Sequence, residues 1–190
     1  MILVAIGANL PGPQGQSPRS MCIAAAEALR SLPGLTLVAV SRWHSTAPDP
    51  PPIPPDHQPD YCNGAARLHS TADPAWLLAR LQAIEAAAGR RRSIANAART
   101  LDLDIIAIGP LYRSAPDPIL PHPRAHLRRF VLVPLAEIAP DWIHPSLGRI
   151  AAALLADLPR PASRPPSPSR PPSPSRIAAN GLHQGLGTAM

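Results

Sequence analysis

Proline does more than any other residue to limit what this chain can fold into. Each of its 28 prolines lacks an amide hydrogen and has a locked φ, so runs of them suit neither a helix interior nor a central strand. They gather in two places. Ser163 to Pro168 reads SRPPSP and Ser169 to Pro174 repeats it. Nothing large and apolar is offered for burial there, so residues 159–190 read as a disordered, polyproline-biased extension. The second cluster, Pro48 to Pro59 (PDPPPIPPDHQP), is internal and carries Asp49, Asp56 and His57. It reads as a long loop between structured segments, the kind of loop that often serves function. Residues 1–158 are then the length of one domain.

Charge narrows the chemistry. All 18 cationic residues are arginine, which excludes a lysine Schiff base or a P-loop lysine but leaves bidentate phosphate binding open. Four of those arginines lie beyond Asp157, where there is no acid. The domain itself carries 14 arginines against 12 acids, too near balance to argue for a nucleic-acid face. Two cysteines, Cys22 and Cys62, are too few for a disulfide scaffold and read as reduced thiols. No apolar run is long enough to span a bilayer and no secretory leader is evident. A soluble, cytoplasmic protein is expected.

Outside the proline clusters the pattern alternates. Ile2–Ile6, Leu35–His44, Tyr61–His69 and Thr100–Ile108 read as strands. Ser20–Leu32 has apolar residues at helical spacing, stopped by Pro33-Gly34. Asp73-Pro74 is an N-cap followed by proline at the first helical position, opening a helix that runs to Gly89. Ile150–Leu158 reads as a last short helix. The order β-α-β-β-α-β plus a helix predicts an α+β domain of ferredoxin-like plan, an antiparallel sheet with packed helices.

The most informative stretch is Arg99-Thr100-Leu101-Asp102-Leu103-Asp104-Ile105. On a strand Asp102 and Asp104 share one face while Leu101, Leu103 and Ile105 share the other. Two neighbouring carboxylates repel unless a cation lies between them, and an oxygen-only pair suits Mg²⁺ completed by water and phosphate. An exposed polar strand face is the competing reading. Gly89-Arg90-Arg91-Arg92 and Arg99 favour a polyphosphate, because guanidinium forks would hold the oxygens that the metal leaves. Taken alone, the arginine run also fits a solvated helix end, and His122 fits a structural loop histidine.

A wider set of motifs carries a resemblance. Ile6-Gly7-Ala8-Asn9-Leu10, Gln58-Pro59-Asp60-Tyr61-Cys62-Asn63, Gln82-x-x-Glu85, Gly89-Arg90-x-Arg92, the Arg99 to Ile105 stretch, Pro121-His122 and the Phe130 to Pro140 segment appear in this order over residues 1–158. In that order and spacing they resemble the 6-hydroxymethyl-7,8-dihydropterin pyrophosphokinases. The resemblance implies a ferredoxin-like α+β fold and transfer of pyrophosphate from ATP to the pterin hydroxymethyl group, leaving AMP, in folate biosynthesis. It implies that Asp102 and Asp104 bind two Mg²⁺ ions and that Arg90, Arg92 and Arg99 clamp phosphates, with His122 and Arg128 closing over them. Gln82, Glu85 and Ile105 would belong to the ATP site. Tyr61 and Phe130 would sandwich the pterin, Asn63 would read its edge, and Thr46, Ala47 and Pro48 would complete that pocket. Arg90, Arg99, Asp102 and Asp104 are the expected catalytic set. The partners implied are these two small molecules, with no nucleic acid or membrane, and the enzyme is expected as a monomer. The sequence departs from the family at Ser93, where a basic side chain is expected, and at Asn96, where a tryptophan is common. Asp117 and Pro123 depart as well.

Two other readings compete. A pterin-binding paralogue without transfer would need neither the aspartates nor the arginines. A ferredoxin-like RNA-binding module would need paired aromatics on the strand that carries Asp102 and Asp104.

Overall fold

The computed structural model describes residues 1–49, 58–90 and 97–159. Most of the proline loop, the segment 91–96 with Arg92, Ser93 and Asn96, and the expected extension from residue 160 onward lie outside the described residues.

The elements run β1 (Ile2–Ala8), α1 (Pro18–Arg30), β2 (Thr36–Val40), β3 (His44–Thr46), β4 (Tyr61–His69), α2 (Pro74–Ala87), β5 (Asp102–Ile108), α3 (Arg129–Ile138) and α4 (Ala151–Asp157). The sheet order is β2-β4-β1-β5 with β3 also on β4, and every pairing is antiparallel. That is the split-βαβ order the element sequence predicts, with β5 on an edge. The second helix opens at the expected Asp73-Pro74, and the first opens two residues ahead of the expected Ser20, at Pro18. Ser17 accepts from the Ser20 amide ahead of Pro18. Asp73 Oδ1 accepts from the Ala75 and Trp76 amides at 2.8 and 3.1 Å ahead of Pro74. Each cap satisfies donors that the first helical turn leaves unpaired, a gain of about 1 kcal/mol.

Two features differ from the sequence reading. The expected strand Leu35–His44 breaks into β2 and β3. The Ser41 hydroxyl accepts from the Ala65 amide at 2.9 Å and donates to the Arg42 carbonyl at 2.8 Å. The Arg42 amide meanwhile turns away to Glu137 Oε2 at 2.9 Å. A side chain has taken over a ladder partner, so the strand bends and restarts at His44.

The second difference is α3, to which the sequence reading assigns no helix. It is short and holds Pro134, which has no amide to give the carbonyl four residues back. Burial of Val131, Leu132, Leu135 and Ile138 holds it in place, each worth about 1.5–3 kcal/mol when fully removed from water.

The sheet therefore has two cores. Ile2, Val4, Ile6, Leu101, Leu103 and Ile105 meet α1 and α2 on one face. Leu3, Ala65 and Ile106 meet α3 and α4 on the other. No helix among the described residues is long and apolar enough to cross a membrane.

Candidate active site

One end of the sheet opens into a cleft of about 590 Å³, within the usual range for small-molecule sites. Its lining joins residues far apart in sequence: Thr46, Ala47 and Pro48, Tyr61 and Asn63, Gln82 and Arg90, Arg99, Asp102 and Asp104, His122, Arg128 and Phe130. These are the expected site residues, with three exceptions. Arg92 lies outside the described residues. Ile105 is 4% exposed and faces the α1/α2 core. Glu85 is 3% exposed and does not line the cleft.

Glu85 has a different part from the one expected of it. Its Oε1 accepts from the Leu103 amide at 2.7 Å and meets the Arg90 guanidinium. Leu103 lies on the edge strand β5, so this carboxylate caps an amide that has no further strand to receive it. Burial pushes the Glu85 carboxyl above its ordinary range, against the opposing pull of the Leu103 amide and Arg90. The side chain thus ties the end of α2 to β5 and holds Arg90 over the cleft. Gly89, at φ +79°, ends α2 in a conformation that favours glycine.

The carboxylate pair is as the strand pattern predicts. Asp102 Oδ1 receives Arg90 Nη1 at 2.7 Å and Arg99 Nη1 at 2.8 Å. Asp104 stands on the same face, its Oδ2 3.9 Å from His122 Nε2. Burial, and then the Asp102 charge, raises the Asp104 carboxyl. Burial lowers His122, against the opposing pull of Asp104. The Arg124 amide donates to His122 Nδ1 at 3.2 Å, so the neutral ring carries its proton on Nε2, aimed at the carboxylate side of the cleft.

No group of three His, Cys, Asp or Glu that could hold a metal occurs among the described residues. The two aspartates offer oxygen alone, and an ion between them would complete its shell with water and phosphate. That donor set fits Mg²⁺.

The wall that carries Tyr61, Asn63 and Phe130 brings aromatic and amide groups to the lining. The Asn63 amide donates to Thr46 Oγ1 at 2.8 Å. The Tyr61 hydroxyl lies 3.4 Å from both the Gln58 side chain and the Ala97 carbonyl. Arg128 stacks over Phe130 at 5.4 Å. Gly7 makes room here, since a Cβ on it would sit 2.7 Å from Asn63 Oδ1. Gly7→Ala is therefore expected to displace the Asn63 amide and raise KM for the ligand of this wall about tenfold, or roughly 1.4 kcal/mol. KM for the ligand held by the arginines should stay within about twofold, and steady-state kinetics with each varied in turn reads the difference.

Sequence reasoning quotes Asn9 within a motif but gives it no role. It is 1% exposed. Its Oδ1 accepts from the Arg99 amide at 2.8 Å, and its Nδ2 donates to the Pro59 carbonyl at 3.2 Å. The Asn9 and Leu10 amides both donate to the Arg99 carbonyl. One side chain so joins the end of β1, the approach to β4 and the approach to β5. Its burial depends on segments some 50 and 90 residues away, which no local pattern discloses.

A family model described as 7,8-dihydro-6-hydroxymethylpterin-pyrophosphokinase matches residues 3–140. The chain belongs to this family. It is 40% identical over 158 residues to the 2-amino-4-hydroxy-6-hydroxymethyldihydropteridine pyrophosphokinase of Pseudomonas aeruginosa, covering 83% of this chain and 91% of that one. It is 39% identical over 135 residues to the enzyme of the same name from Synechocystis, covering 71% and 67%. Among solved structures, a chain described as "HPPK-DHPS in complex with substrates" matches with a TM-score of 0.54 at 12% identity. That match covers 82% of this chain and 42% of the other and supports the pyrophosphokinase fold.

Proposed function

We propose that the cleft holds the two substrates of the family's reaction against opposite walls, ATP on the arginine side and the pterin on the Tyr61–Phe130 side. The reaction is transfer of pyrophosphate from ATP to the hydroxymethyl group of 6-hydroxymethyl-7,8-dihydropterin, a step of folate biosynthesis. The observation that carries this reading is that the ion-paired Asp102, Arg90 and Arg99 line the same cleft as Tyr61, Asn63 and Phe130. A pterin site alone has no use for that charge cluster.

Asp102 and Asp104 are the residues that would hold Mg²⁺, two ions in this reading. When bound, Mg²⁺ supplies charge neutralisation on the phosphates and Lewis-acid activation of the attacking hydroxyl. Arg90 and Arg99 trade part of their pairing with Asp102 for phosphate oxygens. His122 Nε2–H and Arg128 reach the same oxygens from the far side, adding donors where charge builds up in the transition state. Gln82, exposed at the cleft rim, lies on the nucleotide side. A contact of Ile105 with the nucleotide would use its backbone: the Leu103 amide points off the sheet edge, and the two-residue strand period aims that of Ile105 the same way. Tyr61 and Phe130 offer flat faces to the pterin ring, and Asn63 offers an amide to its edge. ATP as donor favours a cytoplasmic setting, and the enzyme is proposed as a monomer.

The test is AMP release from ATP and Mg²⁺ with and without the pterin. Pterin-dependent AMP is the expected result; tight pterin binding without AMP would instead select the non-catalytic paralogue. The pH profile adds a check. Because its pKa is raised, Asp104 takes up a proton at a pH above the ordinary aspartate value of about 4, and a protonated carboxyl is a poor metal ligand. At limiting Mg²⁺ the acid limb should therefore lie above that value and move down as Mg²⁺ is raised. A limb indifferent to Mg²⁺ would remove Asp104 from the metal site.

A further inference from the structure

The two cysteines meet. Cys22, on α1, is fully buried, and its Sγ lies 3.4 Å from the Cys62 carbonyl oxygen on β4. Cys62 packs against the core layer that contains α1, so its side chain and that of Cys22 share one layer on that face of the sheet. Along β4 successive side chains alternate between faces. Tyr61 and Asn63 line the cleft, while Cys62 between them turns to the opposite face, toward α1.

We propose that Cys22 and Cys62 are a site of reversible disulfide formation with a hydroperoxide as oxidant, and that closing the bond weakens pterin binding. The coupling to the pterin rests on the functional reading above; the disulfide does not. Cys62 reacts first, because it is partly exposed and Cys22 is not. The Cys62 sulfur attacks the peroxide, an S–O bond forms as the O–O bond breaks, and the leaving oxygen takes a proton to become an alcohol or water. Cys22 sulfur then attacks the sulfenic sulfur. The S–S bond forms, the S–O bond breaks, and the hydroxyl leaves as water with the Cys22 proton. Two electrons pass from the thiols to the peroxide, and a dithiol reductant returns them.

A disulfide draws two sulfurs to about 2.05 Å, closer than two free thiols can stand, so α1 and β4 must approach. Cys62 pairs with Ala8 of β1 and Ser45 of β3, and its neighbours Tyr61 and Asn63 shift with it. A displacement of about 1 Å is enough to cost a site up to a hundredfold.

The experiment treats the full chain with hydrogen peroxide and then with dithiothreitol. Unreduced peptide mapping reads the link, and binding is measured with 6-hydroxymethylpterin, whose ring is already oxidised. The expected result is a Cys22–Cys62 linked peptide, reversed by dithiothreitol, with Kd for the pterin raised at least about tenfold. Cys22→Ser should give no link and leave Cys62 as a sulfenic acid that dimedone traps; Cys62→Ser should leave Cys22 unreacted, so either variant serves if the other fails to fold. Peroxide that carries Cys62 to the sulfinic acid while Cys22 stays a thiol would overturn the disulfide. A link formed with pterin affinity unchanged would overturn the coupling. Failure of both reduced and oxidised protein to bind the pterin would sink the functional reading and the coupling with it, while the peptide map still decides the disulfide.

Discussion

Replacing Asp104 with asparagine is expected to cost at least about a thousandfold in turnover, roughly 4 kcal/mol of transition-state stabilisation, while raising the melting temperature of the metal-free protein. Asp102→Asn should cost as much activity and lower the melting temperature. The sign follows from what surrounds each carboxylate. Burial and the Asp102 charge raise the Asp104 pKa, so the folded state is penalised once pH exceeds the unfolded value of about 4. That penalty grows until the folded carboxyl has ionised, and an amide of the same shape removes it. Asp102 instead neutralises Arg90 and Arg99 at 2.7 and 2.8 Å. An amide there leaves the Arg99 guanidinium without its carboxylate partner and Arg90 with Glu85 alone, at a cost of about 1–3 kcal/mol. Calorimetry in chelator, beside AMP production in Mg²⁺, checks both halves. Shifts of the same sign in the two variants would contradict this division of charge.

Arg99→Ala is the second large effect expected. Arg99 reaches Asp102 through Nη1 and the Ala97 carbonyl through Nε at 3.1 Å, so its fork is oriented before any phosphate arrives. Losing one preorganised donor of this kind lowers kcat by about 10²–10³. Arg99→Lys should recover only a small part, because an ammonium has no planar fork to satisfy both partners. A second readout separates a phosphate clamp from a merely structural arginine. Without Arg99, Asp102 is freer to bind a cation, so affinity of the free protein for Mg²⁺ should rise as kcat falls. Titration calorimetry with Mg²⁺ alone reads this, and weaker Mg²⁺ binding would assign Arg99 to the fold instead.

Asp102, Asp104 and the cap at Asp73 illustrate what the chain itself encodes. A two-residue alternation assigns both carboxylates to one strand face, and an oxygen acceptor followed by proline marks where a helix begins. These are relations between near neighbours, decided by backbone geometry alone. The split-βαβ order follows for a similar reason, because few topologies accommodate that succession of strands and helices. The ordered motifs identify the family and with it most of the cleft.

Glu85, Asn9, Ile105 and the cysteine pair illustrate what the tertiary structure decided. The resemblance implied that Glu85 belongs with Gln82 to the nucleotide site. The edge amide of Leu103 gives its carboxylate a buried partner that only the packed fold supplies. Asn9 is polar and follows a strand, yet it is buried because three segments converge on it. Strand alternation already assigns Ile105 to the face away from the carboxylates; what the packed fold adds is the core that covers that face. The strand after Leu35 breaks because Glu137, nearly a hundred residues on, competes for the Arg42 amide. Cys22 and Cys62 sit side by side because α1 crosses the back of β4. Periodicity records how a residue stands on its own element, whereas the partner that gives it a task arrives from the other side of the fold.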